Sequence, residues 1–123
     1  MKRIYIAGPL SDMPSDYLCN VGAMIEAWRD INETEDAVAF CPATDILLGL
    51  WNGCIGGRAF AIADYHRWSM AWLEVCDAVF VLSDTHRDGR LSGGVAAEIE
   101  RAGELGIPVL RNPGELRAFL VAP

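Results

Sequence analysis

The chain has 123 residues, 52% of them hydrophobic, enough for one domain around a single core; this excludes a disordered segment and two ordinary domains. A formal net charge of −7 repels nucleic-acid backbones and excludes a nucleic-acid polymer as a bulk partner, whereas a nucleotide monomer held by a few local donors stays admissible. No apolar run reaches the roughly 20 residues of a membrane span, and the short run after Lys2-Arg3 is too brief for a signal peptide, so a cytoplasmic location is expected.

Arg3 to Ala7 is β-branched and aromatic and stops at Gly8-Pro9, which predicts a first strand. From Ser15 to Ile31 the apolar residues Leu18, Val21, Met24, Ile25 and Trp28 recur at three and four, predicting a helix capped by Ser15 or Asp16. After an acidic turn, Ala37 to Cys41 reads as a short strand ending at Pro42. Ala43 to Gly57 has no clean period and four glycines, and is expected to be irregular. Ala59 to Val75 reads as a helix with Ile62, Tyr65, Trp68, Met70, Trp72 and Leu73 on its apolar side. Ala78 to Leu82 is a strongly apolar strand, followed by a loop from Ser83 to Gly94 and a helix from Val95 to Leu105. Gly106 is expected to cap that helix. Ile107 to Leu110 is a last strand, and Gly114 to Val121 a terminal helix.

Short all-apolar strands alternating with helices indicate an α/β fold, a doubly wound parallel sheet in three α/β/α layers of the flavodoxin or Rossmann type, in one domain over residues 1–123. Ligands in such sheets bind beyond the carboxyl ends of the strands. The turn Gly8-Pro9-Leu10, the turn Pro42 to Asp45 and the loop 83–94 should share that edge. The four cysteines form no C-x-x-C pair and the two histidines are not at ligand spacing, so no metal site is expected; Cys41 and Cys76 read as buried thiols.

Ser92-Gly93-Gly94-Val95-Ala96-Ala97-Glu98 carries the densest chemical signal. A hydroxyl and two glycines leading into a helix gather free N–H groups and the positive end of the helix dipole, which makes an anion site. Glu98, expected in the first turn, either complements that dipole or serves the bound molecule. Ser92 is a cap or part of a phosphate cradle. Tyr5 is core, or a hydroxyl directed at a carboxylate. Trp68 and Trp72 are core or base-stacking residues; His86, Arg87 and Arg90 are solvated or close over a phosphate. No G-x-G-x-x-G and no Walker A loop is present.

Ile4-Tyr5-Ile6-Ala7-Gly8-Pro9-Leu10, Cys76-Asp77-Ala78-Val79-Phe80-Val81-Leu82, Ser92-x-Gly94-x-x-x-Glu98 and Leu105-Gly106-Ile107-Pro108-Val109, in this order and spacing, resemble the nucleoside 2-deoxyribosyltransferase superfamily, which includes deoxynucleoside 5′-monophosphate N-glycosidases. The resemblance implies Glu98 as the nucleophile at C1′ and Tyr5 as its hydrogen-bonding partner, with retaining-glycosidase chemistry and no metal or organic cofactor. It further implies that residue 92 sorts substrates: an acid accepts from a 5′-hydroxyl, whereas a serine suits a 5′-phosphate. A nucleoside monophosphate substrate and a homo-oligomer follow. One position departs from the pattern. The aspartate that protonates the base is Ser69 here, leaving Asp64 or Asp45 as substitutes. An N-glycosidase, a nucleotide-binding module without efficient turnover, and an assembly protein that merely shares the fold are the three classes left open.

Overall fold

The apolar runs become the four strands of one parallel sheet: β1 (Lys2–Ala7), β2 (Ala37–Phe40), β3 (Ala78–Val81) and β4 (Val109–Leu110), in the order β2-β1-β3-β4. A computed structural model describes residues 1–10 and 14–123, the side chains of 14, 15 and 46 excepted. Five helices cover the sheet or flank it: α1 (Pro14–Asn32), α2 (Thr44–Cys54), α3 (Ile62–Leu73), α4 (Gly93–Leu105) and α5 (Pro113–Val121). The expected three-layer α/β/α architecture is present.

Strand periodicity explains the layers. Ile4 and Ile6 point to one face, where they pack with Met24 and Ile31 of α1, Phe80, and Leu116 of α5. Tyr5 and Ala7 point to the other, among Leu73 of α3, Val79, Val81, and Val95 and Ala102 of α4. β1 is therefore buried on both faces and paired on both edges, Tyr5 lying opposite Phe40 on one side and Val79 on the other. Asp77 fixes this register where β3 begins: its carboxylate accepts from the Arg3 N–H at 2.7 Å and its own N–H donates to the Arg3 carbonyl at 2.7 Å.

Several boundaries differ from the sequence reading, each for a physical reason. α1 starts at Pro14, so Ser15 and Asp16 fall inside its first turn, and the Ser15 side chain lies outside the described residues. Its buried stripe runs through Val21, Met24, Ala27 and Ile31, while Leu18 and Ile25 face outward. Residues 44–54, expected to be irregular, form α2. Leu47, Leu48, Leu50, Trp51 and Ile55 in and just after α2 are 60–71% exposed, so no single buried face imposes a period that could be read. α2 nevertheless approaches α3 closely at one point, where the Tyr65 hydroxyl occupies the space a side chain at Gly49 would need. α3 begins at Ile62, three residues later than expected, because Asp64 caps it there: its carboxylate accepts from the Ala61 N–H at 2.9 Å. Among the described residues no helix is long and apolar enough to cross a membrane.

α4 ends as the sequence suggests. Gly106 adopts φ 71° and its N–H reaches the carbonyls of Ala102 and Gly103. Since a Cβ is disfavoured in this left-handed conformation, Gly106→Ala should cost about 1 kcal/mol and lower Tm by roughly 4 °C in a calorimetric scan.

Candidate active site

Tyr5 and Glu98 meet beside β1. Tyr5 is fully buried, and its hydroxyl and Glu98 Oε2 are both secluded from solvent without a hydrogen bond of good geometry. They are nonetheless close enough to bias each other. Burial first, and then the charge of Glu98, hold the Tyr5 phenol far above its ordinary proton affinity. Burial pushes Glu98 from 4.5 up to about 8, and the approach of the Tyr5 hydroxyl offsets part of that rise. Ser69, buried on α3, is the third member, its hydroxyl within reach of the phenol. Two secluded polar atoms left unmatched are costly in the free protein and are ready to be satisfied by a ligand.

The helix that carries Glu98 begins two residues earlier than expected. Ser92 is its N-cap, accepting from the Val95 N–H at 3.3 Å, and Gly93 is its first residue. Glu98 is thus the sixth helical residue, in the second turn, rather than a first-turn acid. Complementing the dipole does not account for it, because that effect fades within the first turn. At the helix start, the N–H groups of Gly93 and Gly94 have no protein partner among the described residues, and a Cβ at Gly94 would stand 4.0 Å from Ser92 Oγ. Ser92 is buried and held in place by its N–H, which donates to the Asp84 carbonyl at 2.8 Å.

The preceding loop is tied rather than loose. Thr85 and Leu91 form an antiparallel bridge, and the His86 N–H donates to the Arg90 carbonyl at 2.8 Å. Arg90 pairs with Asp88 at 2.6 Å, and Arg87 reaches Asp16 at the start of α1 at 3.7 Å. Gly8, Pro9 and Leu10 follow β1 at the same edge of the sheet, with Pro9 buried and Leu10 packed on the α1 side.

Asp64 does not join the group. It accepts from Arg58 at 3.1 Å, lies 3.6 Å from Arg67 and caps α3, and the Arg58 contact leads in holding its carboxyl below the usual range. A proton donor needs the opposite direction. Asp45, in the first turn of α2, is half-buried; burial raises its carboxyl, and its charge is felt by Tyr5. A feature missed in the sequence is the aromatic stack behind the phenol: Tyr5 on Phe40 at 5.5 Å and Phe40 on Trp72 at 5.4 Å. Only the strand register that sets Tyr5 against Phe40 could have revealed it. Trp68 instead packs edge-on against Phe60 and Tyr65, at 5.0 and 5.6 Å. Cys41 and Cys76 are buried free thiols. Among the described residues no group of three or more His, Cys, Asp or Glu could hold a metal ion.

No protein-family model and no curated protein matches the sequence. Solved structures do match. A 2-deoxyribosyltransferase from Leishmania mexicana superposes with a TM-score of 0.61 at 24% identity, over 89% of this chain and 63% of that one. One from Bacillus psychrosaccharolyticus gives a TM-score of 0.53 at 20% identity, over 87% of this chain and 69% of that one. The chain therefore has the fold of these transferases and spans just under two thirds of the Leishmania protein's length.

Between pH 4.5 and about 8, folded Glu98 keeps a proton that the unfolded chain has released, so its contribution to stability falls as pH rises through that window. Glu98→Gln, neutral throughout, removes this slope. Urea titrations from pH 5 to 9 should show the variant's midpoint gaining on the wild type's up to about pH 8 and levelling above it; parallel curves throughout would show that Glu98 ionises normally.

Proposed function

We propose that the protein cleaves, or transfers across, the base–sugar bond of a nucleoside 5′-monophosphate, with Glu98 as nucleophile. The observation that carries this reading is the Tyr5–Glu98 pair: a half-buried glutamate in the second turn of a helix, one of whose carboxyl oxygens is secluded beside a buried phenol, both atoms short of partners. Neither dipole complementarity nor core packing calls for such a pair. The two solved structures that share the fold are named 2-deoxyribosyltransferases, which supports glycosyl transfer as the reaction class.

In this reading the Glu98 carboxylate attacks C1′, the C1′–N bond breaks with its electrons going to the base, and a glycosyl ester forms. Water, or a second base in a transferase, then attacks C1′ and frees Glu98. Tyr5 donates to the carboxylate oxygen that is not bonding and steers the other toward the sugar. The Gly93 and Gly94 N–H groups and the Ser92 hydroxyl take the phosphate at the helix start, where a carboxylate at position 92 would repel it. The enzyme works with Glu98 ionised, so activity of the free protein should climb with pH toward about 8. A second reading, nucleotide binding without turnover, draws on Ser69, a hydroxyl buried beside Tyr5 where the superfamily pattern has an acid.

Self-association belongs to the same proposal. Leu47, Leu48, Leu50 and Trp51 of α2 are all exposed, and a second copy of the chain would cover them.

Incubation with ribo- and deoxyribonucleoside 5′-monophosphates should release free base, seen by chromatography, with the matching nucleosides poor substrates. Glu98→Ala should abolish release yet keep nucleotide-induced thermal stabilisation; retained turnover would sink the nucleophile. Ser92→Asp should reverse the preference toward nucleosides. In sedimentation, the wild type should run as a dimer or larger and Trp51→Glu as a smaller species.

A further inference from the structure

Beside the edge strand β2, toward the starts of the strands and away from the end that carries Pro9 and Ser92, the surface opens into a groove of about 500 Å³. Strand register explains its place. Arg3 lies beside Val38 and Tyr5 beside Phe40, and alternation turns these side chains to one face of the sheet. β2 has no strand beyond it, and α3 ends at Leu73, so Trp72 and Val75 overhang this edge with about half of their surface in solvent (54% and 50%).

The lining is aromatic and apolar except at one point. Phe40 and Trp72 stack at 5.4 Å with 19° between their planes. Cys76 is buried and its Sγ donates to the Trp72 carbonyl at 3.3 Å. Burial, and then the charge of Asp77, push that thiol up to about 11, so it stays neutral. Arg3 is the one charged residue of the lining, and among the described residues its guanidinium has no ion pair. The Asp77 carboxylate is taken up by the Arg3 N–H at 2.7 Å.

Two macromolecular occupants fit poorly. An added β-strand needs the outward N–H groups of β2, but Ala37 donates to the Thr34 carbonyl at 3.3 Å and Ala39 to Asn32 Oδ1 at 3.4 Å. A second copy related by a two-fold axis through the groove would set one Arg3 against another.

We propose that the groove is a second binding site, separate from the Tyr5–Glu98 site, for a planar aromatic carboxylate. The ring lies against Phe40 and Trp72 and adds a member to their stack, with Val38 and Val75 shielding it from water. The carboxylate meets the Arg3 guanidinium, whose planar fork matches two oxygens at once. A neutral ring forfeits the charge, and an aliphatic acid forfeits the stack, so the groove selects for both features in one molecule.

The test titrates the protein with 2-naphthoate and with its neutral counterpart 2-naphthamide, followed by NMR. The acid should bind about tenfold more tightly than the amide, and Arg3→Gln should erase that preference. Trp72→Ala should weaken both compounds by about tenfold. In the wild type, which needs no variant to fold, nuclear Overhauser contacts should run from the naphthalene protons to the Trp72 indole and the Val38 and Val75 methyls. Contacts to Val95 instead would put the acid at the start of α4 and overturn the proposal. So would an absence of binding, equal affinity for acid and amide, or a dimer that Trp72→Ala dissociates in sedimentation, which would make the groove a contact between copies.

Discussion

The site depends on one constraint: Glu98 has to be removed from water without being given a cation. Among the described residues no arginine or lysine adds to its proton affinity; burial raises it, and the one group pulling the other way is a neutral phenol. An arginine partner would hold the carboxylate ionised and would also satisfy it. A phenol can supply a hydrogen bond without that neutralising charge. The protein accepts a poorly solvated acid in the free state, with a proton affinity raised by burial and only partly offset by the phenol.

The fold supplies this arrangement with little machinery. β1 occupies the middle of the sheet, so its side chains are immobilised from both faces and both edges, and Tyr5 inherits that rigidity. α4 sits on the same face and delivers two different environments along one axis. Its first turn offers free N–H groups to an anion. Its second turn, between the buried Val95 and Ala102, carries Glu98 with one carboxyl oxygen secluded from solvent. The separation between the helix start and the Glu98 carboxyl is thus set by helix pitch, which loop motion cannot alter.

Much of this was legible in the residues. Apolar runs of four to six residues gave the strands because a parallel sheet covered on both faces needs no alternation, and Gly106 announced the end of α4 because only glycine suits its conformation. Tyr5 and Glu98, paired in the sequence reading through the family resemblance, do come together in the fold. Other features were hidden for definite reasons. α2 has no buried stripe and so no period. The start of α4 was set two residues late because its glycines look like loop. Asp64 resembled a spare carboxylate until its bonds to Arg58 and the Ala61 N–H showed its work at the head of α3. The stack of Phe40 on Tyr5 is not written in any local pattern, since it arises from register between strands more than thirty residues apart.

The strand order also bears on how the chain is made. β1 leaves the ribosome before its neighbours, yet it sits between β2 and β3. With α1 and β2 it can form one half of the sheet as soon as residue 40 has emerged, but the edge that receives β3 stays open until residue 81 follows. Ile4, Tyr5 and Ile6 lack their full burial throughout that interval. A nascent chain of this topology therefore carries a half-built sheet with a sticky edge for about forty residues of synthesis, at roughly 5–20 residues per second a matter of seconds, and its best protection is binding by a chaperone.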